Sequence, residues 1–192
     1  MEIKEWVRPF IKEQLKDSFT SEYPPAIIDG LDASSICVAM VRFFKVFDMT
    51  GGLKNEYLIP IGEVFCRLPK QVFLEFYEDN LLFLVPSFAG ASTLRMDESL
   101  IVIVIPLMSL GRSKSVVIGE IVHELAHIYA GHIHLDQDEL TNQHEKEADK
   151  IATAWGFKNE IRAMNKEIQS IKQTIKTVRK RNDYDLEVKA AN

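Results

Sequence analysis

Cysteine is scarce in this chain of 192 residues: only Cys37 and Cys66, each within an apolar run and with no CxxC between them. That argues against a disulfide-built secreted scaffold and predicts two reduced, buried thiols in a cytoplasmic protein. Basic charge is not in excess either. The formal net charge is -5, so the chain as a whole does not read as a nucleic-acid binder. Long apolar runs are missing: the longest, Leu100–Leu110, carries Pro106 and is too short to cross a bilayer. The first ten residues, MEIKEWVRPF, hold acids and no apolar core, unlike a secretory signal. No low-complexity tract and no internal repeat is visible. Histidine is absent from the first 122 residues, and all five lie between His123 and His144.

What is present suits a soluble globular protein able to bury a full core, with 46% apolar and 27% charged residues. Charge is unevenly spread. Residues 158–192 carry nine Lys/Arg against five Asp/Glu, leaving fourteen against twenty-three in residues 1–157. The expected organisation is a domain over residues 1–157 and a basic helical extension over residues 158–192.

Apolar spacing predicts an amphipathic helix over residues 3–19, ended by Tyr23-Pro24-Pro25, and a second helix from Leu31 to Phe47. "EVFCRL", "QVFLEFY" and "LLFLVP" are short and rich in β-branched and aromatic residues, which predicts antiparallel strands between Ile59 and Pro86. "SLIVIVIPL", Ser99–Leu107, reads as a buried strand. From Asn159 to Arg181 the apolar positions Ile161, Met164, Ile168, Ile171, Ile175 and Val178 step by 3, 4, 3, 4, 3, a heptad seam. That helix is expected to dock, on its own domain or as a homo-oligomer on a second copy, rather than to serve as a nucleic-acid arm. The tail after Asn182 is polar and expected to fray.

The chemistry concentrates in "IGEIVHELAHIYAGHIH", Ile118–His134. His123-Glu124-Leu125-Ala126-His127 is an HExxH. On a helix, residues four apart share a face one turn apart, so two imidazoles can converge on one zinc ion at about 2.0–2.1 Å each. Glu124 is then placed as catalytic base, to accept a proton from water that the metal activates. A catalytic zinc needs a third protein ligand and an open fourth position. In "HEKEAD", on a helix expected over residues 143–156, Glu145, Ala148, Asp149 and Ala152 share one face. Glu145 is the expected third ligand. Small Ala148 and Ala152 allow close helix packing, and Asp149 could accept the remaining ring N–H of a ligand histidine. Glu147 is a rival, but it points about 200° from Glu145, and His144 about 100°.

HExxH followed by ExxAD resembles the gluzincin zinc metallopeptidases, and most closely the soluble ImmA/IrrE-type peptidases. The match covers roughly residues 118–157. The resemblance implies Zn2+ held by His123, His127 and Glu145, Glu124 as catalytic base, and a protein or peptide substrate. Many ImmA/IrrE-type proteins read ExEAN and then an apolar LLMP-like segment, where this chain reads EKEAD and "KIATAWGFKNEI"; membrane relatives carry flanking transmembrane helices that it lacks. A metzincin would need Gly and His where Ala130 and Ile133 stand, and a deformylase-type cysteine ligand is not supplied by "VFCRLP" around Cys66.

His132 and His134 are expected to be bystanders at the helix end, Asp136, Asp138 and Glu139 a solvated loop, and Tyr129 no part of the site. The expected fold class is α+β: a zincin-like domain with a small mixed sheet, an active-site helix, a glutamate helix and a C-terminal helical extension. One strand between Val72 and Leu107 is expected to offer its edge to an extended substrate. The competing expectation is a metal-stabilised regulatory or binding module with little turnover.

Overall fold

The computed structural model describes residues 3–14, 30–41, 58–77, 112–132 and 141–178 with their side chains, and residues 15–18, 42–43, 47–48, 55–57, 78–79, 81–87, 92–95, 100–106 and 179–190 by backbone alone. Among the described residues there are seven α-helices: α1 Val7–Ser18, α2 Ala33–Phe43, α3 Asn55–Arg67, α4 Lys70–Asp79, α5 Lys114–Tyr129, α6 Asn142–Ala152 and α7 Lys158–Ala190.

Helical periodicity, not β propensity, decides residues 55–79. "EVFCRL" lies in and just after α3 and "QVFLEFY" in α4, where antiparallel strands are expected. Leu58, Ile61, Phe65, Leu68, Val72 and Phe76 are all buried. Leu58, Ile61 and Phe65 in α3, and Val72 and Phe76 in α4, recur at steps of 3 and 4 residues, giving each helix an apolar face whose burial outweighs a β preference of at most about 1 kcal/mol per residue. The α+β class is corrected accordingly. Among the residues described with side chains, 86% are helical and none lies in a strand, so the body that carries the core is a helical assembly.

Extended backbone occurs at β1 Phe47–Asp48, β2 Leu81–Ser87, β3 Ser92–Arg95 and β4 Leu100–Pro106. These pair in the order β1-β2-β4-β3, with β2 parallel to β4 (Leu81 opposite Leu100) and β3 antiparallel to β4. Of the antiparallel strands expected between Ile59 and Pro86, "LLFLVP" is extended, whereas "EVFCRL" and "QVFLEFY" are not strands. The expected substrate edge lies partly in α4 and otherwise outside the residues described with side chains.

The core joins Val7 and Ile11 of α1, Ile36 and Met40 of α2, Phe65 of α3 and Phe73 of α4 to the inner face of α5. Trp6, Phe10 and Phe73 pack as an aromatic cluster with ring centroids 4.7–6.1 Å apart. Helix α5 is almost wholly enclosed: Ile118, Ile121, Val122, Leu125 and Ala126 are buried, among α3, α6 and α7. Each Leu or Ile side chain so buried contributes about 1.5–3 kcal/mol. Gly119 allows α7 to approach, for a Cβ there would meet the Glu160 carbonyl oxygen at 2.6 Å. Ion pairs fix the same junctions. Lys114 reaches Glu63 at 2.8 Å, Arg67 reaches Glu160 at 2.7 Å, and Arg112 spans Glu120 and Glu167 at 2.7 and 3.2 Å.

Helix α6 passes into α7 through a wide turn, Thr153–Phe157, where Gly156 takes φ 104°. Trp155 and Phe157 enter the core from that turn. The heptad seam of α7 divides: Ile161 and Met164 are buried on the domain, whereas Ile171, Ile175 and Val178 are exposed. The backbone stays helical to Ala190 rather than fraying after Asn182. Among the described residues, no helix is long and apolar enough to cross a membrane.

Candidate metal centre

Two helices build the site. On α5, His123 and His127 lie one turn apart on the face opposite Leu125, so the buried apolar side anchors the pair. Helix α6 begins at a capped end: Thr141 is the N-cap, its hydroxyl accepting the Gln143 N–H at 3.3 Å, while His144 Nδ1 accepts the Thr141 N–H at 3.2 Å. This reciprocal cap sets the rotation of α6. Ala148 and Ala152 are fully buried, which lets α6 lie close against α5.

The result brings His123, His127 and Glu145 together, with one ligand atom of each within 4.8 Å of the others. His123 Nε2 lies 3.0 Å from His127 Nε2 and 3.2 Å from Glu145 Oε2, and His127 Nε2 lies 3.5 Å from Glu145 Oε1. Two ligands of a tetrahedral zinc at about 2.0–2.1 Å are ~3.3 Å apart. The three separations bracket that edge, and two imidazoles with one carboxylate are a donor set that zinc accepts, so the residues fit the ion. Both histidine side chains are about 10% exposed and Glu145 54%. The cluster is thus walled on the α5 side and open on the α6 side.

Each histidine uses its other nitrogen. His123 Nδ1 lies 2.9 Å from Asp149 Oδ1, and Asn165 on α7 donates to Asp149 Oδ2 at 2.8 Å. His127 Nδ1 lies 2.9 Å from His132 Nδ1. The electrostatics follow from these partners. Burial opposes charge on His123, but Asp149 and Glu145, with Glu124 close by, more than reverse it and raise its pKa to about 9. At His127 the Glu145 carboxylate, 3.5 Å away, does less to raise the pKa than burial, and then the neighbouring His123, do to lower it, to about 4. The hydrogen bond to His123 holds Glu145 below the ordinary carboxylate range. Asp149 is pushed up by burial, yet its bonds to His123 and Asn165 leave it lowered.

Glu124 follows His123 on the same turn and is half-buried. Glu147 is away from the three-residue cluster, near His132 at 3.5 Å. His144 takes the capping role described above. Tyr129 packs on Trp155, ring centroids 5.3 Å apart, on the outer side of α5. His134 and the acidic run Asp136, Asp138 and Glu139 lie outside the described residues.

One residue was misjudged from the sequence. His132, expected at the solvent-facing helix end, is buried beside His127. Its signal was Gly131, which takes φ 74° with open space around its Cβ position. A left-handed glycine just past a helix end takes the chain off the helical path, and the next residue, His132, lies buried beside His127.

In comparison with known proteins, no family model, no curated protein and no solved structure matches this chain.

Proposed function

We propose that this chain is a zinc-dependent metallopeptidase. The observation that carries the reading is the convergence of His123, His127 and Glu145 within 4.8 Å, with Glu124 one residue after the first histidine. The resemblance of HExxH and ExxAD to gluzincins supports the same assignment. His123, His127 and Glu145 would hold the ion and leave its fourth position on the open side. Bound there, zinc supplies Lewis acidity and lowers the pKa of water toward about 7. Glu124 takes the proton of the attacking water and returns it to the leaving amine, the general-base and general-acid role of one carboxylate. Asp149 orients His123 and, through its negative charge, strengthens that nitrogen as a donor. The substrate is a protein or peptide. The reading puts the chain in the cytoplasm, in keeping with two cysteines, Cys37 and Cys66, that lie in apolar runs and form no CxxC.

The test is cleavage of a mixed peptide library by the zinc-loaded protein, read by mass spectrometry, beside Glu124→Gln. Cleavage by the wild type and none by the variant, at equal zinc content, is expected. A zinc-loaded wild type that cleaves nothing, or a variant that cleaves equally, overturns the proposal and favours a metal-stabilised binding module.

A further inference from the structure

His127 faces the cluster with Nε2, which lies 3.0 Å from His123 Nε2, and turns Nδ1 away from it. A neutral imidazole that gives one nitrogen to a metal carries its proton on the other. The His127 Nδ1–H therefore needs an acceptor inside the fold, and the atom opposite it is His132 Nδ1 at 2.9 Å. For that nitrogen to accept, the proton of His132 must sit on its Nε2. That atom faces Glu147 Oε2 at 3.5 Å. The two rings meet edge to face, centroids 5.1 Å apart, and His132 is buried. An imidazole so enclosed is not placed as a surface cation.

Resting on the metal reading above, we infer that His132 is a positioning residue for the ligand His127: it accepts the Nδ1–H, fixes the tautomer that presents Nε2 to the ion, and is itself oriented by Glu147. The two ligand histidines are thereby held differently. His123 leans directly on the charged carboxylate of Asp149, and His127 on a neutral ring that relays to an exposed carboxylate. Losing the partner of a ligand histidine costs about 10–100-fold in metal affinity.

The experiment measures zinc affinity of the full chain by competition with a chromophoric chelator, and the visible spectrum of the cobalt-substituted protein. His132→Leu keeps bulk but offers no acceptor; His132→Asn places an amide oxygen where Nδ1 stood. His132→Leu should lose about 10–100-fold in affinity and shift the cobalt bands, while His132→Asn should restore both. Equal affinity and spectrum in His132→Leu and wild type, or equal losses in both variants, overturns the inference. Should His132→Leu fail to fold, Glu147→Ala decides, because its side chain is 52% exposed: a fall of a few-fold is expected and unchanged affinity refutes the relay. His123→Ala separates the two readings. If wild type and His123→Ala bind zinc equally, the metal site itself is wrong; if only His123→Ala fails, His132 alone was misassigned.

Discussion

Asp149 Oδ1 lies 2.9 Å from His123 Nδ1, so a residue of α6 one turn beyond Glu145 holds the far side of the His123 ring on α5. Its other oxygen is held by Asn165 of α7, which ties the third helix to the same ring. Asp149→Ala should lower zinc affinity by about 10–100-fold. Asp149→Asn keeps a hydrogen-bond acceptor and loses only the charge, so its loss should be smaller. Isothermal titration with zinc ranks the variants; equal affinities across all three would show that Asp149 does not support His123.

Glu145 and Glu147 are two residues apart, yet only Glu145 joins the histidines. Glu145→Ala removes one of three ligands and should leave the purified protein with little zinc by elemental analysis. Glu147→Ala should retain it, with affinity lowered no more than a few-fold. Full occupancy in the first variant and loss in the second would move the third ligand to Glu147.

Much of the site was legible because it rests on one rule, the helical period. The four-residue spacing of His123 and His127, and the shared face of Glu145, Ala148 and Asp149, follow from 3.6 residues per turn alone. The fold class was not legible, and Val64 to Tyr77 show why. Val, Phe and Tyr favour strands locally, but a strand there would bury only alternate residues, whereas α3 and α4 each bury a face at helical spacing, Leu58 to Phe65 and Val72 to Phe76. Composition and periodicity pointed in opposite directions, and packing decided. His132 was misread for another reason. It lies just past the left-handed backbone of Gly131 (φ 74°), where the chain has left the helix and spacing along the helix no longer applies.

Metal-free stability should peak near pH 6.5. His123, raised to about 9, binds a proton in the folded state that the unfolded chain has lost between about pH 6.5 and 9. Its stabilisation is complete below the unfolded value and disappears as pH rises through that window. His127, lowered to about 4, behaves oppositely: the unfolded chain takes up a proton first as pH falls below about 6.5, so stability declines toward pH 4. Glu145 and Asp149, both lowered, deepen the loss on the acid side. Thermal unfolding in the presence of a chelator, scanned from acid to alkaline pH, checks this. A melting temperature that climbs steadily to pH 9 would mean that His123 is not held protonated.

Gly119 stands one turn before His123, where α7 crosses α5. A Cβ there would meet the Glu160 carbonyl oxygen at 2.6 Å and the Met164 Cβ at 3.0 Å. The carbonyl is backbone and cannot swing aside, so Gly119→Ala must push α7 outward. The displacement disturbs the buried Met164 and the Arg67–Glu160 ion pair, at a cost of about 1–3 kcal/mol for an overpacked contact. It also carries Asn165 away from Asp149, because both Asn165 and Glu160 ride on α7. Chemical denaturation of the metal-free protein should show the loss, and zinc affinity should fall with it although no ligand has changed. Gly131→Ala makes the contrasting case: there is room for the methyl group, but the backbone is left-handed at φ 74°, a conformation that costs a non-glycine residue about 1–2 kcal/mol. If Gly131→Asn, whose side chain tolerates the left-handed region, recovers most of the stability lost by Gly131→Ala while Gly119→Asn is no better than Gly119→Ala, the two glycines are kept for different reasons, close approach in one and backbone conformation in the other. Recovery at both positions, or at neither, would refute that division.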